Sequence, residues 1–309
     1  MFRAALLLAL ATTLFGAESQ PATPASGGHL YYLTLGGRGS GGRVMSVNDD
    51  GTGLTTLVPD RKAGPDGIVL DPASKRLYWT NMGRVNANDG TIESSALDGS
   101  DVKTVVAAGG TFTPKQLKLD SKHGKLYWSD REGMRVMRSN LDGSNIETLV
   151  ETAKGDEARK DARNWCVGIA LDVDGGKMYW SQKGSGGNGR IFRANLDGSQ
   201  IETLFDNLPE PIDIDLDIAH RTMYWTDRGD PPDGNSVSRA PMDPGGRQEI
   251  LVRGLKEGIG ITLDLIDGRM FYTDLSGNVY SARLDGSGSK VLVAGQGALT
   301  GITWVDLRK

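Results

Sequence analysis

One short segment recurs along the chain and limits its fold more than any other feature. It reads Met223-Tyr224-Trp225-Thr226-Asp227 at its fullest, and Leu77–Asn81, Leu126–Asp130 and Met178–Gln182 are the same segment. Met270–Asp274 and Leu30–Thr34 are worn copies. The second aromatic falls at 32, 79, 128, 180, 225 and 272, in steps of 47, 49, 52, 45 and 47 residues. A period in that range marks a repeat architecture in which each unit is one supersecondary element.

Three further landmarks define the unit. An apolar strand ending in Asp precedes the aromatic pair, as in Gly67–Asp71, Gln116–Asp120, Gly168–Asp172, Asp213–Asp217 and Gly260–Asp264. A strand running into an Asp-Gly turn follows it, at 98–99, 142–143, 197–198 and 285–286, with Asp50-Gly51 and Asp243-Pro244-Gly245 as variants. Asp-Gly between alternating apolar residues is a strong hairpin signal. A last strand follows, such as Glu147–Val150 or Lys290–Val293. Four short strands per unit predict an all-β fold, a six-bladed β-propeller with four-stranded blades. The first unit lacks its leading strand, and Gly301–Asp306 supplies one with no unit after it. The C-terminal strand is therefore expected to complete the N-terminal blade.

The Tyr-Trp-Thr-Asp segments and Leu-Asp-Gly turns resemble the class B, or YWTD, repeat of low-density lipoprotein receptors over roughly residues 29–306. The pattern departs at Thr34, Asn81 and Gln182, which stand in the Asp position. The resemblance implies that Asp130, Asp227 and Asp274 tie blades together. The cysteine-rich modules of those receptors are absent, so their receptor function does not carry over.

Ahead of the repeats, Arg3 and the apolar run Ala4–Phe15 followed by small residues read as a signal peptide over 1–19, with a flexible leader over 20–28 and the propeller over 29–309. No later apolar run reaches spanning length, so a secreted or secretory-lumen protein without a membrane span is expected. The net charge of −4, with both signs dispersed, offers no field for nucleic acid. Cys166 is the single cysteine and reads as a small buried apolar residue. Residues 37–42 fit G-x-G-x-x-G but lead into a strand, so no helix N-terminus could hold a pyrophosphate. No zinc-ligand or hydrolase pattern occurs, and neither cofactor nor metal is expected.

In such a ring the loops joining strands one to two are uniform here, whereas those on the opposite face vary in length. The longest insertion is Glu151–Asn164. Variable loops on a rigid scaffold carry function, which places the site at the channel mouth on that face. The first residue of the innermost strand is Gly in four blades but Gln116 and Asp213 in two. These are read either as ligand contacts or as hydrogen-bonded channel filling. Arg228 opens a long Pro-rich loop and is read as an anion or carbonyl anchor or a surface cation. Phe112 and Trp165 either stack on a flat apolar ligand or plug loop cores.

Two classes of function remain. One is a non-catalytic propeller gripping a protein or peptide on its top face. The other uses the channel mouth for a small-molecule substrate. In plan and export signal the chain is similar to stand-alone secreted YWTD propellers of fungi. Some of these are hetero-Diels–Alderases that couple a tropolone-type quinone methide to humulene in meroterpenoid biosynthesis. That resemblance implies an enzyme in which Phe112 and Trp165 stack the diene, Gln116, Gln182 and Arg228 bond its oxygens, Asp213 is the acid/base group, and Asn81 is a further substrate contact.

Overall fold

A computed structural model describes residues 27–36, 41–61 and 63–307. The segment read as a signal peptide, nearly all of the stretch read as a leader, and residues 37–40 of the glycine-rich loop lie outside them. The described chain forms six four-stranded antiparallel sheets. Blade 1 joins Leu299–Asp306 to Gly28–Thr34, Gly42–Asn48 and Thr55–Arg61. From the inside outward, blade 2 runs from Pro65 to Thr111, blade 3 from Pro114 to Glu151, and blade 4 from Cys166 to Leu208. Blade 5 runs from Pro211 to Arg253 and blade 6 from Gly258 to Val293. The C-terminal strand pairs with the first one, Gly28 opposite Asp306 and Tyr31 opposite Thr303, so the ring closes as expected.

The aromatic pair explains how one motif serves two interfaces. Neighbouring residues of a strand point to opposite faces of the sheet. Tyr179 of blade 4 accordingly packs with Trp225 and Met223 of blade 5, while Trp180 packs with Tyr127 and Val136 of blade 3. Tyr78 and Trp128 meet in the same way between blades 2 and 3. The tryptophans at 79, 128, 180 and 225 are fully buried.

The innermost strands begin two residues earlier than the sequence indicates, at Pro65, Pro114, Pro211 and Gly258, with Cys166 and Leu299 in the other two. Gly67, Gln116, Gly168, Asp213, Gly260 and Gly301 are thus third, not first, in their strands. The early start follows from a register break: in blades 2 to 6 pairing with the second strand skips these residues, as between Pro65 and Ile68 or Pro211 and Ile214. Such a bulge leaves a backbone N–H without a ladder partner, and the motif hydroxyl accepts it. Gly67 N–H donates to Thr80 Oγ1 (2.8 Å), Gly168 N–H to Ser181 Oγ (2.8 Å), Asp213 N–H to Thr226 Oγ1 (3.2 Å) and Gly260 N–H to Thr273 Oγ1 (2.9 Å).

These hydroxyls, and with them that of Ser129, donate onward to the innermost strand of the next blade. Thr80 bonds Lys115 O (2.7 Å), Ser129 bonds Gly168 O (2.8 Å), Ser181 bonds Ile212 O (2.6 Å), Thr226 bonds Ile259 O (2.6 Å) and Thr273 bonds Thr300 O (2.5 Å). Blade 1 has Leu33 in that position, and Thr300 of its inner strand makes the link to Pro65 O instead (3.0 Å). A buried belt of six hydroxyls therefore joins all the blades. The belt brings backbones so close that a Cβ at Gly260 would lie 2.6 Å from Thr300 O.

The strand-ending aspartates face the other end of the ring and cap its turns: Asp120 accepts from His123 N and Asp217 from His220 N. The Asp of the motif holds the connector arriving from the preceding blade. Asp130 accepts from the N–H groups of Phe112 and Thr113, Asp227 from Glu210 N and Asp274 from Lys256 N.

Blade 1 owes its inner strand to the C-terminus, and a sheet left open there exposes both an apolar face and an unpaired edge. Deleting residues 299–309 is expected to abolish the cooperative unfolding transition in urea. A truncated chain that still melts in one sharp transition would refute closure by this strand.

Candidate functional site

The variable loops gather on one end of the ring, each fixed by the same bond: the residue after the motif donates its N–H to the connector ahead of the innermost strand. The pairs are Leu35 to Ala298, Met82 to Gly64, Arg131 to Thr113, Lys183 to Trp165, Arg228 to Glu210 and Leu275 to Lys256. On this regular base the insertion before blade 4 folds into a short helix, Gly155–Arg159, and a 3-10 turn, Ala162–Asn164. Thr152 Oγ1 anchors it to Met134 O and Asn164 O, and Asn164 Nδ2 donates to Ala158 O.

A cleft of about 450 Å³ opens beneath the insertion, lined by Val85, Asn86, Phe112, Glu132, Asp156, Arg159, Lys160 and Trp165. Phe112 and Trp165 thus meet at one site. The Trp165 indole N–H donates to Arg159 O (2.8 Å), and the Arg159 guanidinium lies 4.0 Å above the Phe112 ring. Arg131 and Lys183 sit 5.2 and 5.7 Å from the Trp165 ring centre. Cations at these distances are attracted to the ring faces. The cleft therefore joins aromatic surface to charged groups of both signs, Arg159 and Lys160 with Glu132 and Asp156.

Arg228 lies elsewhere on the same end, in a larger and more polar cleft of about 640 Å³ with Glu210, Asp230, Asp233 and Glu257 among its lining residues. Its guanidinium pairs with Glu257 and sits 3.6 Å from Glu210, which also binds Lys183 at 2.9 Å.

Gln116 and Asp213 are both buried at the axis, each hydrogen-bonded within the channel wall. Gln116 Nε2 donates to Asp66 Oδ1 (3.1 Å), and the Lys115 amine pairs with the same carboxylate. Asp213 accepts from Ile214 N (2.9 Å) and from Ile261 N of blade 6 (3.1 Å). Asp215 repeats the device one step along, accepting from Leu263 N (3.0 Å), with Lys118 reaching across the ring to it at 3.4 Å. Burial pushes the Asp213 carboxyl up to about 7, against the pull of Lys118 and both N–H groups. For Lys118, burial, which alone would lower the amine, is outweighed by Asp215 and Asp213, and its pKa is raised. Lys115 is lowered by burial despite Asp66.

Asn81 is buried, donating from Nδ2 to Thr91 Oγ1 and Glu93 Oε2 (3.0 Å each). Gln182 is buried opposite Cys166 in the blade 4 ladder. Neither lines the described clefts. The Cys166 thiol is fully buried and pushed up to about 12 by that burial, which fits an apolar filler and not a nucleophile.

Two features escaped the sequence reading. Glu132 and Arg159 line the aromatic cleft, and only the helix-favouring run 155–159 hinted at a built insertion. The Asp66–Lys115 pair had a clearer signal. These residues hold the second place of adjacent innermost strands, where blades 4 to 6 carry Val167, Ile212 and Ile259, packed together as an apolar plug.

A closed YWTD propeller with variable loops on one end defines the class of protein. No protein-family model matches the chain. A protein of Pyricularia oryzae named low-density lipoprotein receptor-related protein 1 is 46% identical over 285 residues, covering 85% of this chain and 92% of that protein. The chain belongs to this family of low-density lipoprotein receptor-related propellers. The 3-hydroxyacyl-CoA dehydrogenase-like protein LAM1 of Cochliobolus heterostrophus is 36% identical over 276 residues, covering 82% of this chain, which spans 58% of LAM1. Among solved structures, a chain of the nidogen/laminin complex superposes with a TM-score of 0.74 at 21% identity, covering 90% of this chain and 99% of its own length. That likeness shows the fold.

A carboxyl whose folded pKa exceeds its ordinary 3.8 stabilises the protein only while protonated, so its contribution is lost as pH rises from about 4 to about 7. Asp213→Asn is expected to flatten this fall by up to about 1.4 kcal/mol per pH unit. Urea unfolding of both proteins across that range measures it, and parallel pH profiles would contradict the assignment.

Proposed function

We propose that the protein is an exported propeller that binds a flat, oxygen-bearing small molecule in the cleft between Phe112 and Trp165. Its reaction in this reading is a cofactor-independent hetero-Diels–Alder coupling of a tropolone-like quinone methide to a terpene alkene. The observation that carries the reading is the convergence of two aromatic rings, from the connectors before blades 3 and 4, on one cleft that also holds Arg159 and Lys160. A cycloaddition needs two partners held in a near-attack pose and a positive group where charge builds on the carbonyl oxygen. The rings and Val85 supply apolar contact for the first, and the cations supply the second. Asp213 and Gln116, engaged in the channel wall, act in this reading as supports for the inner strands beneath the loops.

The larger cleft around Arg228, rich in carboxylates, favours a second reading: a protein-binding propeller whose partner presents basic side chains.

Calorimetric titration with tropolone tests the first reading. Binding is expected for the full chain, weakened about tenfold or more in Phe112→Ala and Trp165→Ala with unfolding temperature little changed. Binding that ignores both substitutions would overturn it. An unchanged small-molecule profile in a strain lacking the gene would favour the protein-binding reading.

A further inference from the structure

Glu132 is 3% exposed and sits in a turn that leaves it little freedom. Met134 N–H closes the turn onto Arg131 O (3.0 Å), and Met134 holds φ at +56° although it is buried. A side chain at Gly133 would collide with the Asp130 carboxylate, so only glycine lets the turn pack this closely. One carboxylate oxygen of Glu132, Oε1, is taken by Arg131 through Nε (2.8 Å) and Nη2 (2.5 Å). Its main-chain oxygen accepts from Arg159. The other carboxylate oxygen, Oε2, is buried and has no hydrogen-bond partner among the described residues.

A buried carboxylate oxygen without a donor costs free energy, and proteins rarely leave one so without a use. Here the residue that carries it lines the cleft of Phe112 and Trp165. The surrounding cations already have other engagements: Arg131 pairs with Oε1, and Arg159 is spent on the Glu132 main chain and the Phe112 ring. Among the described residues no donor reaches Oε2, which leaves it open to one brought by a ligand.

We propose that Glu132 is a specificity-determining residue of this cleft, accepting a hydrogen bond through Oε2 from a hydroxyl carried on the ligand ring. The inference rests on the small-molecule reading of the cleft and narrows its ligand to the enol or phenol class. The ring hydroxyl meets Glu132, the ring faces the aromatic side chains, and a neighbouring carbonyl meets Lys160. A ring whose hydroxyl is blocked leaves Oε2 unsatisfied and is rejected, because a site built for a hydroxyl discriminates strongly against its absence.

Tropolone and its O-methyl ether, titrated into the full chain by calorimetry, separate the possibilities. The wild type should prefer tropolone by about tenfold or more, the range of a hydrogen bond to a charged group. Glu132→Gln keeps the volume and one oxygen for Arg131 but places an amide donor near the ligand hydroxyl, and should erase most of that preference. Trp165→Ala should weaken both ligands alike. Equal binding of the two ligands by the wild type would overturn the role of Glu132 while leaving the cleft reading intact. A preference that survives in Glu132→Gln would overturn that role as well. Failure of both ligands to bind would overturn the cleft reading and this inference together. Should Glu132→Gln fold poorly, Glu132→Asp, which withdraws the carboxylate by one methylene, must show the same loss of preference.

Discussion

The structure depends on a belt of buried hydroxyl groups that takes up the backbone irregularity of one blade and fastens it to the next. Each blade is a small sheet that cannot bury its own faces, so the fold exists only as a ring. Apolar packing between blades supplies the bulk of the stabilisation, but it is non-directional. The hydroxyls of Thr80, Ser129, Ser181, Thr226, Thr273 and Thr300 add direction, each bonding a defined carbonyl of the next innermost strand. That a serine or threonine follows the aromatic pair in five units is therefore a requirement of ring closure. Blade 1, with Leu33 in that place, meets the same need from a different strand.

A near-sixfold scaffold gains function only by breaking its symmetry. The second place of the innermost strands is apolar on one side of the ring and ionic on the other, where Asp66, Lys115 and Gln116 form one network. The insertion before blade 4 rises on the ionic side and roofs the cleft of Phe112 and Trp165. Across the ring, Asp213 and Asp215 use their carboxylates to occupy inward-facing N–H groups of blade 6, with Lys118 as counter-charge. Cleft lining and axial support thus both fall to residues that interrupt the repeat.

Much of this was legible in the sequence, because period and alternation are written locally. The blade count and the closure by the C-terminal strand follow from the spacing and residue pattern of the repeated segments. Residues that break the repeat, Gln116 and Asp213, proved to be buried at the axis, and the meeting of Phe112 with Trp165 follows from their common place ahead of innermost strands. What escaped was set by contacts between units. The two-residue offset of the innermost strands reflects a bulge that pairing alone reveals. The free oxygen of Glu132 depends on where the guanidinium groups of Arg131 and Arg159 settle. Asn81 and Gln182 looked open to new roles because they replace the motif Asp, yet both are buried in the sheets.

The claim that the hydroxyl belt holds the ring together is tested most directly by Thr226→Val, which keeps shape and removes only the hydroxyl. It leaves Ile259 O and Asp213 N–H buried without their partner. Equilibrium unfolding in urea should show one transition, weakened by about 1–3 kcal/mol. Stability equal to that of the unaltered chain would contradict the account.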